Sequence, residues 1–201
     1  MSTDFRKAER AQPKVGRNFS LLAGAFALLL SLNVAVGDAA AVTKANDPPI
    51  YNPASKSYFQ LLTTTGGQGY WGSALEQARA QVFKGVRGRL AVVDTSETHE
   101  FIMKQFDMSN PIWIGLRYWC SFRMLEWVGL RPYSPTDPGH FHQWHPQWAR
   151  HGQGCVPGSS GPRAYMGVYY QPLGKQTARW QAARAGKGFS LYLVEFPTGE
   201  K

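Results

Sequence analysis

Arg89-Leu-Ala-Val-Val-Asp-Thr-Ser-Glu-Thr-His-Glu-Phe101 and, shortly after it, Ile112-Trp-Ile-Gly-Leu116 decide how this chain folds. Leu90 to Val93 is a short apolar run and reads as a buried strand or turn. Asp94-Thr-Ser96 offers helix-capping oxygens, so residues 97–106 read as a helix. Ile112–Leu116 is compact and apolar, the pattern of a central strand. Upstream, Trp71, Ala74, Leu75, Ala78 and Val82 recur at helical spacing and predict a helix over about residues 71–83. Gly66-Gly-Gln-Gly69 separates that helix from Tyr58-Phe-Gln-Leu-Leu-Thr-Thr64, a strand by its aromatic and β-branched content. Residues 42–56 are polar and contain Asp47-Pro-Pro-Ile and Asn52-Pro; they read as a linker or an early edge strand.

Downstream, residues 117–163 show little periodicity but many Trp, Pro, Gly and His residues. A stretch of that length without regular pattern is either functional or disordered, and its tryptophans argue against disorder. Tyr165–Tyr170 and Phe189–Phe196 then close the domain as two strands. Between them Leu173–Gly188 reads as a Gly-, Lys- and Arg-rich hairpin that carries Trp180.

The totals bound the class. The chain has 201 residues, 43% hydrophobic and 13% aromatic, enough for one domain with a real core plus an extension. Only 17% of residues are charged, which excludes a disordered or coiled-coil composition. Arg6, Lys7, Arg10, Lys14 and Arg17 precede an apolar run from Phe19 to Val36, and the small residues Gly37–Ala41 follow. Residues 1–41 therefore read as a secretory signal, cleaved after Ala41 or Gly37. An uncleaved anchor is the alternative, since the run is about long enough to span a bilayer. The expected location is secreted or periplasmic, in the cell envelope, with membrane contact only through this segment if it is retained. Residues 1–41 hold five of the 22 Lys and Arg and three of the 13 Asp and Glu, which leaves 17 basic against 10 acidic residues, net +7, for the rest. That balance favours acidic partners; the export reading directs it away from nucleic acid. Cys120 and Cys155 are the two cysteines. In an oxidising compartment an even pair forms a disulfide; two free thiols are the alternative.

The order of strand, helix, helix, Trp-Ile-Gly-Leu strand, long loop and terminal strands resembles the C-type lectin-like domain, over about residues 57–197. Seven motifs match in order. Trp71 with Ala74 and Ala78 resembles the family's first helix. Arg89–Phe101 resembles "HLA-x-I-x-S-x-E-E-x-x-F", and Trp113-Ile-Gly-Leu116 its central core motif. Glu126-Trp-Val-Gly-Leu130 is similar to "W-x-W-x-D-G" without the Asp. Trp144-His-Pro-Gln147 resembles the start of "N-W-x-P-G-E-P-N", Arg179-Trp180 stands at "W-N-D", and Tyr192-Leu-Val-Glu-Phe196 resembles "Y-I-C-E-F". The resemblance implies an α+β fold: two helices packed on small, mostly antiparallel sheets, with a long loop region that carries binding.

The departures from the family matter equally. Its usual disulfide joins the first helix to the last strand, and here those positions read about Ala78 and Val194, an apolar pair. Its second disulfide is also missing, so Cys120 and Cys155 would staple the long loop instead. The family's sugar-bridging calcium draws carboxylates from an interval that here, from Pro138 to Val194, contains no Asp or Glu; Gln181-Ala-Ala183 follow Trp180. Calcium needs six to eight oxygen ligands, several of them carboxylates, so no cofactor is expected.

Within that interval lies His140-Phe-His-Gln-Trp-His145, followed by Trp148, Arg150 and His151. His142, Trp144, His145, Trp148, Arg150, Arg179 and Trp180 are the candidate ligand-binding residues, with Arg163, Lys175, Arg184 and Lys187 adding positive charge. Indole rings stack on sugar rings and guanidinium pairs with carboxylate, sulfate or phosphate. The competing readings are that Trp144 and Trp180 are core anchors and that the cations form a solvated face. The histidines also raise a metal site, although no fourth ligand is apparent. No Gly-x-Ser-x-Gly, Walker loop, His-Glu-x-x-His or Cys-x-x-Cys occurs, which argues against an enzyme. The expected function is calcium-independent recognition of a glycan or glycolipid, anionic ligands included. Protein–protein recognition and a His-based metal site are the alternatives.

Overall fold

The computed structural model describes residues 42–148, 155, 164–184 and 186–198. The expected signal over residues 1–41 lies outside the described residues. Among the described residues no helix is long and apolar enough to cross a membrane.

Strand β1 (Ile50–Asn52) falls inside the expected linker and pairs antiparallel with β2 (Ser57–Thr63), Ile50 opposite Phe59. β2 alternates, with Ser57, Phe59 and Leu61 inward, so its period of two turns one edge of apolar side chains to the core. Helix α1 (Trp71–Ala80) buries Trp71, Ala74, Leu75 and Ala78. It ends before the expected Phe83, because Val82 and Phe83 form β3 (Val82–Phe83), which pairs with β4 (Val86–Arg87). Lys84 and Gly85 connect them with φ of 50° and 79°, a two-residue turn with both central residues left-handed. That turn takes the chain off the helix axis.

Strand β5 (Arg89–Leu90) follows, and then α2 (Ser96–Gln105). The cap of α2 is Thr95, whose hydroxyl accepts from the Thr98 amide at 3.2 Å. The helix therefore starts one residue earlier than the sequence reading placed it. Strand β6 (Ile112–Trp119) is the centre of the sheet. One side pairs first with β11 (Leu191–Pro197), in parallel, and then with β7 (Met124–Trp127), antiparallel. β9 (Tyr165–Gly174) is also antiparallel to β6. β8 (Arg131–Tyr133) extends β7, β10 (Thr177–Ala182) extends β9, and β2 and β5 both pair with β11. The described residues form a nine-stranded mixed sheet, mostly antiparallel, with a separate two-stranded hairpin and two helices.

The apolar stretch Ile112–Leu116 is buried throughout. Its indole is satisfied: Trp113 Nε1 donates to the Gly69 carbonyl at 2.8 Å, and Trp71 Nε1 donates to the Ile114 carbonyl at 2.7 Å. These two bonds pin the start of α1 to β6. Ala78 and Val194 are both fully buried. A Cβ on Gly88 would lie 2.5 Å from the Ala78 carbonyl oxygen and 2.7 Å from Val194 Cγ1, so only glycine lets the chain pass there. Beside them the Glu195 carboxylate, 3% exposed, accepts from Arg89 Nε and Nη2 (2.9 Å each), Ser57 Oγ (2.9 Å) and the Val92 amide (3.0 Å). A buried charge is tolerable when it is paired and hydrogen-bonded in this way.

Candidate functional site

The long loop is ordered around one indole. Trp180 sits on β10 with 0% exposure. Four rings meet it near perpendicular: Trp127 and Phe141 at 5.6 Å, Trp144 at 5.8 Å and Tyr133 at 6.1 Å between centroids. Tyr133 is stacked in turn on His140, at 5.6 Å and 19°. Edge-to-face packing of this kind adds to simple area burial. Trp180 is therefore a core anchor and presents no face to a ligand, which corrects its place among the candidate binding residues. Trp144 is half-buried in the same cluster.

Backbone bonds complete the docking. The Trp180 amide donates to the Gln143 carbonyl at 2.7 Å, and the His145 amide donates to the Trp180 carbonyl at 2.9 Å. Residues 143–145 thus lie alongside β10. Arg179 Nη1 donates to Gln143 Oε1 at 2.5 Å, so this candidate spends one donor on holding the loop. Cys120 and Cys155 are disulfide-bonded, with Cα atoms 5.8 Å apart, which ties the loop to the end of β6. Below the cluster His99 on α2 shares a 2.9 Å hydrogen bond with the Tyr170 hydroxyl and packs 5.6 Å from Phe141. Burial, and then the nearby Arg179 charge, push the His99 pKa down to about 4. Burial pushes the Tyr133 hydroxyl up to about 12.

Beyond the cluster the chain opens into a cavity of about 410 Å³, lined by Gln147, Tyr169, Gln181, Arg184 and Lys187 with Ala182 and Ala183. Alternation on β10 makes this possible, since Ala178, Trp180 and Ala182 are buried while Arg179 is exposed and Gln181 half-exposed. Gln147 enters from the short 3-10 turn Pro146–Trp148, whose start is fixed where the Gln147 amide donates to His145 Nδ1 at 3.2 Å. Ion pairs among the described residues join Arg79 to Glu76, Arg89 to Glu195, Arg117 to Glu126, Arg131 to Asp94 and His140 to Asp137. Arg184 and Lys187 belong to none of them, so their donors face the cavity uncommitted to an acid.

The candidates from the sequence separate accordingly. His145 supports the cavity through Gln147, and His142 is exposed, bonded through Nδ1 to the His140 carbonyl at 3.2 Å. Trp148 closes the 3-10 turn. Arg150, with His151 and Arg163, lies outside the described residues. Among the described residues no three His, Cys, Asp or Glu side chains come together as a metal site. The sequence reading missed Gln147, Tyr169 and Gln181 as lining residues. The signal was available for Gln181, which stands where the lectin motif has Asn.

The sequence profile described as "Lectin C-type domain" matches residues 73–167. Among solved structures, the SPL-1–GlcNAc complex superposes with a TM-score of 0.52 at 14% identity, covering 77% of this chain and 96% of that one. The chain has a C-type lectin-like fold. Two further solved structures are similar to it. The cow CD23 C-type carbohydrate-recognition domain, in the presence of a GlcNAc2Man3 oligosaccharide, gives a TM-score of 0.49 at 20% identity, with 78% of this chain and 99% of that one covered. The C-type lectin domain of murine dendritic cell inhibitory receptor 2, in complex with an N-glycan, gives 0.49 at 16%, with 76% and 99% covered. No curated protein sequence matches the chain.

The lectin fold raises the question of calcium, and the residues present do not suit it. The cavity supplies two amide oxygens and two cations, whereas calcium takes six to eight oxygens with several carboxylates. The flanking carboxylates are committed elsewhere: Asp137 accepts from the Gly139 amide at 2.9 Å, and Glu195 holds the Arg89 cluster.

Proposed function

We propose that this lectin-like domain is a non-catalytic module that binds an anionic glycan directly, with no bridging calcium, in the cavity of Gln147, Gln181, Arg184 and Lys187. The observation that carries the reading is the pairing of two acid-free cations with two amides in one concave site. Guanidinium and ammonium groups recognise carboxylate, sulfate or phosphate, and side-chain amides donate to and accept from sugar hydroxyls. The solved neighbour SPL-1, seen with GlcNAc, supports a saccharide as the ligand class. The basic-apolar-small pattern of residues 1–41 supports action outside the cytoplasm, in the envelope or the medium.

A glycan array read with the wild-type domain and with Arg184→Ala/Lys187→Ala tests this. Binding confined to acidic glycans and lost in the double variant is the expected result. A neutral-glycan preference, or binding unchanged in the variant, contradicts it. A second reading, recognition of a protein, is favoured by Phe122 (64% exposed) and Met124 (37% exposed) beside Trp119 on the β6–β7 turn. Capture of one defined protein together with a silent array selects it.

A further inference from the structure

Arg184 and Lys187 line a second cavity as well as the first. It measures about 230 Å³ and lies between the start of α1 and β9, with Tyr70, Trp71, Tyr165 and Met166 among its walls. The two cavities share Ala183, Arg184 and Lys187, so they adjoin across the two cations. No carboxylate lines either of them. Their characters differ. The first is faced with amides. The second is faced with rings: Tyr70 is 60% exposed, and Tyr165 is 38% exposed and packs on Trp71 at 5.3 Å and on Trp119 at 5.6 Å. Binding pockets for whole small molecules run from about 300 to 1,000 Å³, so the second cavity takes only part of a ligand.

We infer that the ligand is a linear anionic oligosaccharide that spans both cavities, its acidic group over Arg184 and Lys187 and a neighbouring sugar face against Tyr70. This rests on the glycan reading above and adds a chain length and a second subsite to it. A terminal acidic sugar would use the amide cavity alone and leave the exposed aromatic wall without a role. A chain with an acidic group between two sugar units matches the order amides, cations, rings. Exposed aromatic and cationic groups contribute most where a ligand covers them and excludes water.

Calorimetric titration with size-defined sulfated oligosaccharides (heparin-derived di-, tetra- and hexasaccharides) tests the inference. Wild type is expected to bind the tetrasaccharide about tenfold more tightly than the disaccharide, the scale of one added aromatic contact. Tyr70→Ala is expected to lose that gain and keep the disaccharide affinity; its melting curve verifies folding. Gln181→Ala is expected to behave in reverse, weakening the disaccharide and keeping the gain with length. Affinity independent of length, or a Tyr70→Ala loss equal at all lengths, overturns the inference while the glycan reading stands. Failure of wild type to bind any of the saccharides overturns both, and binding only to phosphatidylglycerol vesicles does the same.

Discussion

Two parts of the domain are held together by different physics. In the sheet that carries the helices, β2 and β11 pair without interruption from Leu191–Thr63 to Pro197–Ser57, and the Glu195 carboxylate ties β2, β5 and β11 at one end. Order there comes from a ladder of backbone bonds over a continuous apolar core. In the segment from Ser134 to Trp148, beyond β8, order comes from Phe141 and Trp144 converging on Trp180 and from two backbone bonds plus the Arg179–Gln143 clasp onto β10. The difference teaches that a stretch without periodicity is positioned as definitely as a sheet when aromatic side chains replace the ladder. It also places Gln147, one wall of the proposed binding cavity, on the part whose order hangs on few groups.

Trp180→Ala should disturb the loop most. Removing a fully buried indole is expected to cost about 4 kcal/mol, measured by denaturant unfolding. Hydrogen exchange should then rise first in residues 125–147, while β2 and β11 keep their protection. Next comes Cys120→Ser/Cys155→Ser. Releasing a loop of 35 residues is expected to cost about 4 kcal/mol in the chain-entropy treatment, again with exchange concentrated in the loop. Glu195→Ala is the matching test of the other part. It leaves Arg89 without its carboxylate and is expected to cost about 3 kcal/mol, with β5 and β11 rather than the loop losing protection.

His99 sits at the junction and sharpens the contrast by pH. Its folded pKa is lowered from 6.5 to about 4 by burial, with Arg179 adding to the effect. The unfolded chain therefore binds the proton more readily. The stability that His99 contributes is complete above pH 6.5 and is lost as pH falls from there toward 4. Melting curves across that window should show a fall that His99→Gln flattens. The smallest effect is Gln143→Ala, which frees Arg179 and is expected to cost about 1 kcal/mol, read as a small drop in melting temperature.

Much of the scaffold was legible because its patterns are local. Ile112–Leu116 is continuous and apolar, and Trp71, Ala74 and Ala78 keep one helical face. The end of α1 was not legible, since Val82 continues the helical spacing while the Lys84–Gly85 turn turns it into a hairpin. The role of Trp180 was legible only as a choice between core and surface. Indoles serve both, and the four rings that cover it come from residues 127–144, distant in sequence. The disulfide followed from cysteine count and compartment alone. The cavity was the least legible part. Gln147, Tyr169 and Gln181 are common residue types brought together by pairing between β9, β10 and the loop, and only Gln181, beside Trp180, stands at a motif position that marks it.

The proposed recognition uses cations and amides and no bridging ion. The direct measurement is a binding isotherm for an acidic oligosaccharide in chelator and again in millimolar calcium, with Arg184→Ala/Lys187→Ala alongside. Equal affinity in both buffers and loss of binding in the double variant is the predicted result. Affinity that appears only with calcium, and survives removal of the two cations, would contradict the account.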